Sequence, residues 1–551
     1  MKQKKQTLQL LVFLAFTLIF GSCQKQQLES ESNEIKTDLN FISRASDGVP
    51  FREGANTKLG ESKQNPYTVK NMKAAWQELI NHGISTNAET SVHTSHYYVK
   101  FKPQNSDDYE ILHKDTTLAF SDLPIESTVT LNGDYYHDPS LPDSIPTFQY
   151  TAVKVGYQFP TGIKYEILDD LYIPEEDEIF NYENGGTEDC FVDKLLNQAY
   201  LQTNNNDEII DLSDCETTTA QRRYTPGGRI RVFDTRLQRY IGMEGVKVQA
   251  RRWFVVYYGY PNYNGDYRMS HSFKRPCNYS IWFDNPLFAV RHNFFNTTFW
   301  INGPHQSGDW NYDLNNSYQR FVGHIFRGAY RYQLKDIGGL KRPWIFFKRQ
   351  LYMAKDANGS SQGTNWIVLP IIKVWRYNSN GDEYQSDEVF STTCHETGHT
   401  SHVLRMNAPP IQYWQVTGQL QESWAVAIEW YLSHIEYRER GITNYGKEDY
   451  SVITGFPNQF AYQYWNNKNF SKKYTSIYID IVDNYNQLNV IFPGYISQGA
   501  VDDQVTGYSL PFIESNLLKH VYGINSLSHE LIDNLPSGIT EAQVNLLLSH
   551  F

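Results

Sequence analysis

The sequence predicts a multidomain chain of mixed α and β structure, in which β-rich domains, including a small β-sandwich, precede an α+β C-terminal domain. Its 551 residues and 64.1 kDa exceed what one hydrophobic core usually holds, so we expect about three or four domains. Short alternating apolar runs at even spacing between 224 and 291 predict the sandwich. Apolar residues at helical spacing after Ser317 predict a change to longer helices.

The composition is that of a folded, acidic protein. Hydrophobic residues make up 40% of the chain and charged residues 20%, which allows sizeable cores and excludes a wholly disordered chain. The formal net charge of -12 argues against a nucleic-acid partner, because no basic excess is present to neutralise phosphates. Aromatic residues, at 15%, favour a β-rich aromatic core, with stacking platforms for carbohydrate as a weaker alternative.

The N-terminus predicts a signal peptide over residues 1–22. Three lysines stand among the first five residues, and residues 8–20 form a nearly unbroken apolar stretch. A stretch of about 13 residues is shorter than the roughly 20 that a spanning helix needs. The stretch ends in Phe-Gly-Ser-Cys, which resembles a lipobox, and this resemblance implies that Cys23 is diacylated and becomes the mature N-terminus. A plain secretory signal is the alternative.

Residues 23–64 are polar and turn-rich, which predicts a flexible tether. A lipid at Cys23 would attach the protein to a membrane, so we expect a cell-envelope protein anchored to the bacterial outer membrane. The Gln24-Lys25 start and the nearby acids are similar to export signals of surface lipoproteins in some Gram-negative bacteria. That similarity implies exposure at the cell surface. No feature of the sequence predicts an oligomeric state.

Residues 65–222 are expected to form a β-rich N-terminal domain. Apolar residues at helical spacing predict a helix from Tyr67 to Ile80 at its start. Cys190 and Cys215 bracket a polar, Asn-rich segment near its end. These cysteines are able to pair in an oxidising compartment, although four non-lipidated cysteines allow three connectivities.

Residues 223–297 are expected to form the β-sandwich, with Asn264-Gly265 as a hairpin turn. The runs GRIRVFD, GVKVQAR and YSIWFDN are similar to the transthyretin-like and carboxypeptidase-regulatory-like modules of secreted bacterial proteins. Such modules pack against or present another domain, so the resemblance implies no chemistry for this region.

Residues 298–551 are expected to form the C-terminal α+β domain. Helices are predicted from Ser317 to Ile337, from Asp387 to Arg405 and from Leu420 to Tyr437. The run from Trp366 to Trp375 predicts an apolar strand, and Pro370 within it favours a sheet edge or a bulge over a central position.

The motif that carries chemistry is His-Glu-Thr-Gly-His at residues 395–399. Histidines at i and i+4 project from one helical face, where both rings reach a single tetrahedral zinc ion. Glu396 lies about 100° round the helix and is positioned to reach water beside the metal rather than the metal itself. The motif therefore predicts Zn²⁺ held by His395 and His399, with Glu396 as general base and acid. A chance match on an ordinary helix is the alternative.

The C-terminal pattern of helix, strands, edge strand and motif helix resembles the zincin metallopeptidases, whose subgroups differ in the third zinc ligand. The metzincin pattern is not met, because His402 and Arg405 stand where it requires Gly and a further His or Asp. Glu422 stands 23 residues after His399 at the start of an apolar helix, which resembles the gluzincin pattern. This resemblance implies that His395, His399 and Glu422 bind zinc.

Several neighbouring residues have roles that the sequence leaves open. Glu429, seven residues past Glu422 on the same helical face, is an alternative third ligand or the partner of a ligand histidine. We expect His402 at the cleft wall, because it lies about 10 Å along the helix axis from His395. Cys394 is expected to pack as a small apolar residue. Candidates for a transition-state donor are His434, Tyr462 and Tyr464.

We therefore expect zinc-dependent hydrolysis of peptide bonds by a secreted, lipid-anchored metallopeptidase that acts on a protein or peptide substrate. The alternative is a surface binding or adhesion lipoprotein whose zincin-like domain is not catalytic. The large share of the chain given to upstream β-rich regions supports this alternative. The complete set of ligands together with Glu396 weighs against it.

Overall fold

The computed structural model shows a multidomain chain of mixed α and β structure, with several sheets and helices. The residues that it describes are 43–44, 49–84, 92–178, 180, 189–212, 223–292, 297–343, 349–359, 362–364, 371–406, 411–442, 473–486 and 501–551. The signal peptide expected over 1–22, together with Cys23, Tyr462 and Tyr464, lies outside these residues. The expectations for them stay predictions.

The predicted helices are present as α1, α4, α5 and α6, and their ends agree with the sequence pattern to within about three residues. The α-helices of the described chain are α1 (Val69–Asn81), α2 (Ser106–His113), α3 (Asp189–Gln202), α4 (Ser317–Leu334), α5 (Ser386–Arg405), α6 (Gly418–Glu439), α7 (Ile477–Asp480), α8 (Leu510–Phe512), α9 (Ile524–Ile532) and α10 (Glu541–Leu548). We call α5 the motif helix and α6 the ligand helix.

The strands divide between several sheets. They are β1 (Ser43–Arg44), β2 (Pro50–Phe51), β3 (Lys58–Ser62), β4 (His96–Lys102), β5 (Ser127–Leu131), β6 (Gln149–Lys154), β7 (Lys164–Leu171), β8 (Gly227–Asp234), β9 (Arg239–Gly242), β10 (Lys247–Arg252), β11 (Val255–Gly259), β12 (Asp266–Arg268), β13 (Cys277–Trp282), β14 (Phe288–Arg291), β15 (Trp300–Gln306), β16 (Tyr312–Leu314), β17 (Gln350–Asn358), β18 (Gln362–Thr364) and β19 (Ile371–Tyr377).

The N-terminal region contains an antiparallel sheet in the order β6-β4-β7 and a separate pair, β3-β5. β1, β2 and β3 fall within residues 23–64, the range over which a flexible tether is expected. The backbone of β3 pairs with β5, almost seventy residues later in the chain.

Two sheets form the sandwich region, one in the order β11-β10-β13-β15 and one in the order β12-β8-β16 with β9 also on β8. β15 and β16 follow residue 297, so the described strands of this region extend past the expected boundary. The turn at Asn264-Gly265 is present, and Gly265 has φ +90°. It is not a hairpin turn, because β11 pairs with β10 whereas β12 pairs with β8 in the other sheet.

The sheet next to the motif helix has the order β14-β17-β19-β18, in which β18 alone runs antiparallel to its neighbour. The expectation that the strand predicted over Trp366–Trp375 lies at the edge of its sheet is wrong for its described part, β19. β19 pairs with β17 on one side and with β18 on the other, so β18 is the edge strand among the described residues. Residues 365–370 of the predicted strand, Pro370 among them, lie outside the described residues.

The motif helix lies between two hydrophobic clusters. The larger cluster contains buried residues of the N-terminal, sandwich and sheet regions and reaches Val389. The second contains Phe390, Cys394 and Val403 of the motif helix, much of the ligand helix and the C-terminal helices. The motif helix is thus fixed on both sides by burial of apolar side chains.

A buried group of ion pairs joins the sandwich to α4 and to the ligand helix, which both pack against the motif helix. Arg327 on α4 places one guanidinium nitrogen 2.9 Å from Asp234 of β8 and another 2.9 Å from Glu436 of the ligand helix. The Tyr437 hydroxyl donates to the same Asp234 carboxylate, at 3.0 Å. All four side chains are buried.

Cys190 is disulfide-bonded, whereas Cys277 and Cys394 are free and buried. The pairings of Cys190 with either of these two are therefore excluded, and its partner lies outside the described residues. No helix in the described chain combines the length and the apolar character needed to cross a membrane.

Candidate metal centre

The motif helix and the ligand helix lie close together at Gly398. A Cβ atom at this position would lie 3.2 Å from Cα of Ala425 and 3.3 Å from Cβ of Ile428, closer than an ordinary van der Waals contact. The absence of a side chain at Gly398 and the small side chain of Ala425 therefore permit the approach of the two helices. This packing turns the two motif histidines toward the first turns of the ligand helix.

Three predicted ligand atoms converge between these helices. Oε2 of Glu422 lies 3.3 Å from Nε2 of His395 and 3.3 Å from Nε2 of His399. The three side chains are buried, and one ligand atom of each lies within 4.8 Å of the others. The structure therefore brings together His395, His399 and Glu422, which the motif and the gluzincin resemblance implied.

A second side chain contacts the Nδ1 atom of each histidine. Nδ1 of His395 lies 3.0 Å from Oε2 of Glu429, and Nδ1 of His399 lies 3.1 Å from the Tyr413 hydroxyl. These contacts occupy Nδ1 of each ring, so Nε2 is the nitrogen that each histidine turns toward Glu422. The contact anticipated for Glu429 with a ligand histidine is confirmed. Such partners orient metal-bound imidazoles in known sites.

The spacing of these atoms fits a zinc ion. Zinc bonds of about 2.0–2.1 Å at tetrahedral angles separate neighbouring ligand atoms by about 3.3–3.4 Å. The two His–Glu distances of 3.3 Å match this separation. Two imidazoles and one carboxylate are ligands that zinc prefers, and three protein ligands leave a fourth position for a reactant.

Glu422 is held in the form that binds a metal. Burial raises the pKa of its carboxyl, but His399 and His395 outweigh burial, so the pKa lies well below its usual range. The carboxylate is therefore ionised at neutral pH, as metal coordination requires.

Glu396 is 2% exposed on the motif helix, between the two histidines. The next residue, Thr397, donates to the carbonyl of Thr393 at 2.7 Å and lies 2.9 Å from the Tyr352 hydroxyl of β17. These contacts attach the centre of the motif to the neighbouring sheet. The helix position that carries Glu396 is thereby fixed.

Three other residues considered for the site lie outside the ligand group. Cys394 packs in the second hydrophobic cluster, as expected for a small apolar side chain. His402 is fully buried between Tyr413 and Trp424 and is not part of the ligand group. His434 lies twelve residues past Glu422, about 18 Å along the ligand helix, which is too far to contact the ligand set.

Two tyrosines near the site were not found from the sequence. Tyr413 follows the motif helix in a short 3₁₀ turn, and the Tyr474 ring centroid lies 6.1 Å from that of His395. Both are buried. Neither belongs to the motif or to a periodic apolar pattern around it, so only the tertiary fold reveals their proximity.

A second group of ligand-type residues in the described chain is Asp207, Glu208 and His305. Lys63 lies 2.8 Å from Oδ2 of Asp207, which is largely exposed. A cation already neutralises part of this group, so it fits a metal less well than the site between the two helices.

Comparison of the chain with protein-family models, with curated proteins and with solved structures found no match. The resemblance to the zincins therefore rests on the residues themselves: His395, Glu396 and His399 of the motif, and Glu422 of the ligand helix. What this site can do chemically follows from its geometry.

Proposed function

We propose that this chain is a zinc-dependent peptidase of gluzincin type, in which His395, His399 and Glu422 hold the metal. The observation that carries the proposal is the convergence of three buried ligand atoms at zinc-compatible spacing. The contacts at Nδ1 of both histidines support it, because they orient the two rings with both Nε2 atoms toward Glu422.

The chain's own groups supply the proton transfers. Zinc, when bound, would act as a Lewis acid toward a carbonyl and lower the pKa of water. Glu396 is the general base that removes a proton from the attacking water and the general acid that delivers it to the leaving amine. The position of Glu396 supports this role, because it lies between the two motif histidines and outside the group of three ligand atoms.

The edge strand supports an extended peptide as the substrate. β18 ends the sheet beside the motif helix, and its outer side carries no further strand among the described residues. An extended peptide binds such an edge through backbone hydrogen bonds, and the side-chain pockets then determine specificity.

We expect the purified protein to cleave members of a diverse peptide library, and a zinc chelator to abolish the cleavage until zinc is restored. Mass spectrometry of the products measures both the activity and the preferred sequence. Cleavage that persists after complete chelation contradicts the proposal. A protein that contains zinc but cleaves no peptide favours the alternative, a non-catalytic binding or adhesion lipoprotein.

We also propose that the protein is attached to the cell envelope through a lipid on Cys23. The support is the lysine-rich start, the short apolar stretch and the lipobox-like sequence before this cysteine. The lipid would anchor the protein to the bacterial outer membrane.

Cys23→Ala is expected to abolish incorporation of a clickable fatty acid, because it removes the acceptor thiol. Ser22→Ala is the matched control: it retains a small residue before the cysteine and is expected to remain labelled. Gel fluorescence of labelled cells measures both variants. An unlabelled wild-type protein would show plain secretion instead.

A further inference from the structure

The outer face of the sandwich sheet β11-β10-β13-β15 is polar and aromatic. On β10, Val248 and Ala250 are fully buried in the main cluster, whereas Gln249 and Arg251 point to the opposite face. Tyr258 of β11 stands directly opposite Gln249 and therefore shares this face. Residues of the N-terminal region cover part of this face and leave cavities against it.

The larger cavity has a volume of about 470 Å³, within the range of about 300–1,000 Å³ that is typical of small-ligand sites. We call it the Arg251 groove. The residues that the inference uses are Arg251, Trp253, Phe254 and Tyr258 of the sandwich, and Thr116 and Thr117 of the N-terminal region. A second cavity of about 150 Å³ shares Thr116 and Tyr258 with it, so the two adjoin. No residue of the motif helix or the ligand helix lines either one.

Among the described residues, Arg251 forms no ion pair with a carboxylate. Its Nη1 atom is shielded from solvent and has no hydrogen-bond partner in the described chain. Burial lowers the pKa of its guanidinium, and the nearby Tyr98, Tyr258 and Glu126 do not restore it. The carboxylate of Glu126 instead accepts from the Tyr98 hydroxyl at 2.7 Å.

Two buried arginines of this region have the carboxylate partner that the half-buried Arg251 lacks. Arg252 pairs with Glu175, and Arg275 lies 3.3 Å from Asp193. A buried charge without such a partner costs free energy, so an anion that enters the groove would relieve that cost. The planar guanidinium matches a carboxylate in particular, because both groups form two parallel hydrogen bonds.

The lining beside Arg251 indicates the rest of the ligand. Trp253, Phe254 and Tyr258 offer flat apolar surfaces, and Thr116 offers a hydroxyl group that donates and accepts. The Thr117 hydroxyl donates to Asp115 and offers a ligand only its acceptor lone pairs. A ligand with one carboxylate, several hydroxyls and a flat C–H face satisfies all three features. Sugars that carry a carboxylate have this combination, whereas an acidic peptide lacks the hydroxyl groups.

We propose that the Arg251 groove binds an acidic sugar, with the carboxylate on Arg251 and the sugar ring against the aromatic side chains. This site is separate from the metal centre and does not depend on the proposed peptidase activity. It gives the upstream part of the chain a recognition role of its own.

Titration calorimetry on the full chain tests the proposal, with D-glucuronate as the probe and D-glucose as its uncharged counterpart. We expect glucuronate to bind and glucose to bind much more weakly. Arg251→Gln should weaken glucuronate binding about 30-fold or more, because the charge partner of the carboxylate is lost. Arg268→Gln, the same change at an exposed arginine, should leave binding unchanged.

Thermal unfolding separates a binding defect from a folding defect. Arg251→Gln removes an uncompensated buried cation, so the variant should unfold at the same temperature as the wild type or higher. Equal binding of glucose and glucuronate, or unchanged binding by Arg251→Gln, would overturn the proposal. Preference for an N-acetylated glutamate peptide over glucuronate would overturn the assignment to a sugar.

Discussion

Glu396→Gln is expected to lower peptide hydrolysis by about 100- to 10,000-fold while the fold and the zinc content stay nearly unchanged. Gln has the size of Glu but does not accept a proton at neutral pH, so the variant loses the general base alone. Glu396 lies in the motif without being one of the three converging ligands, so its replacement should not release the metal. Initial rates on the best library peptide, with metal analysis of the same sample, measure both effects.

Glu541→Gln provides the matched control, because it makes the same chemical change at an exposed position in the last helix. It should retain full activity. Wild-type rates in Glu396→Gln would contradict the role of general base. A zinc-free Glu396→Gln would instead mean that this side chain supports the metal.

Glu422→Ala is expected to abolish stoichiometric zinc, whereas Glu429→Ala should weaken zinc binding or activity by only about 10- to 100-fold. The difference follows from the atoms that each carboxylate contacts. Glu422 faces Nε2 of both histidines, and Glu429 contacts Nδ1 on the far side of the His395 ring. Removing Glu422 deletes a ligand, whereas removing Glu429 loosens the orientation of one.

Metal content of both purified variants, measured by inductively coupled plasma mass spectrometry, decides between these assignments. Glu439→Ala, a change at a partly exposed acid near the end of the same helix, should keep one zinc per chain. A zinc-replete Glu422→Ala beside a zinc-free Glu429→Ala would reverse the assignment of the third ligand.

Local patterns in the sequence were sufficient for the helices around the candidate metal centre, whereas α3 in the N-terminal region was not predicted. α5 and α6 were predicted to within about two residues, because their apolar residues recur with helical spacing over several turns. The sheet edges were harder to predict. β18 has only three residues and no periodic pattern of its own, so it was not predicted. The edge was assigned instead to the apolar run that contains β19, because Pro370 stands in that run. The order of strands in a sheet depends on long-range pairing, which a short run of residues does not encode.

The candidate metal site shows the same difference between residues placed by a local pattern and residues placed by the tertiary fold. The grouping of His395, Glu396 and His399 could be predicted because one helix fixes their geometry. Glu422 was proposed through the gluzincin resemblance. Tyr413 was missed, although it contacts His399, because its position depends on how the chain returns after the motif helix. The contact of Glu429 with Nδ1 of His395 favours the role of partner to a motif histidine over that of third ligand.

The ion pairs around Arg327 bear on how this protein can be divided. A fragment that began at residue 298 would keep Arg327 and Glu436 but lose Asp234, and the Tyr437 hydroxyl would lose its acceptor. Removing one partner of a buried ion pair costs about 3–5 kcal/mol, a large part of the roughly 5–15 kcal/mol that stabilises a typical domain. The helices that carry the candidate zinc ligands therefore do not belong to an independent folding unit that begins at residue 298. A fragment that is designed to fold around this site must therefore include β8, the strand that contains Asp234.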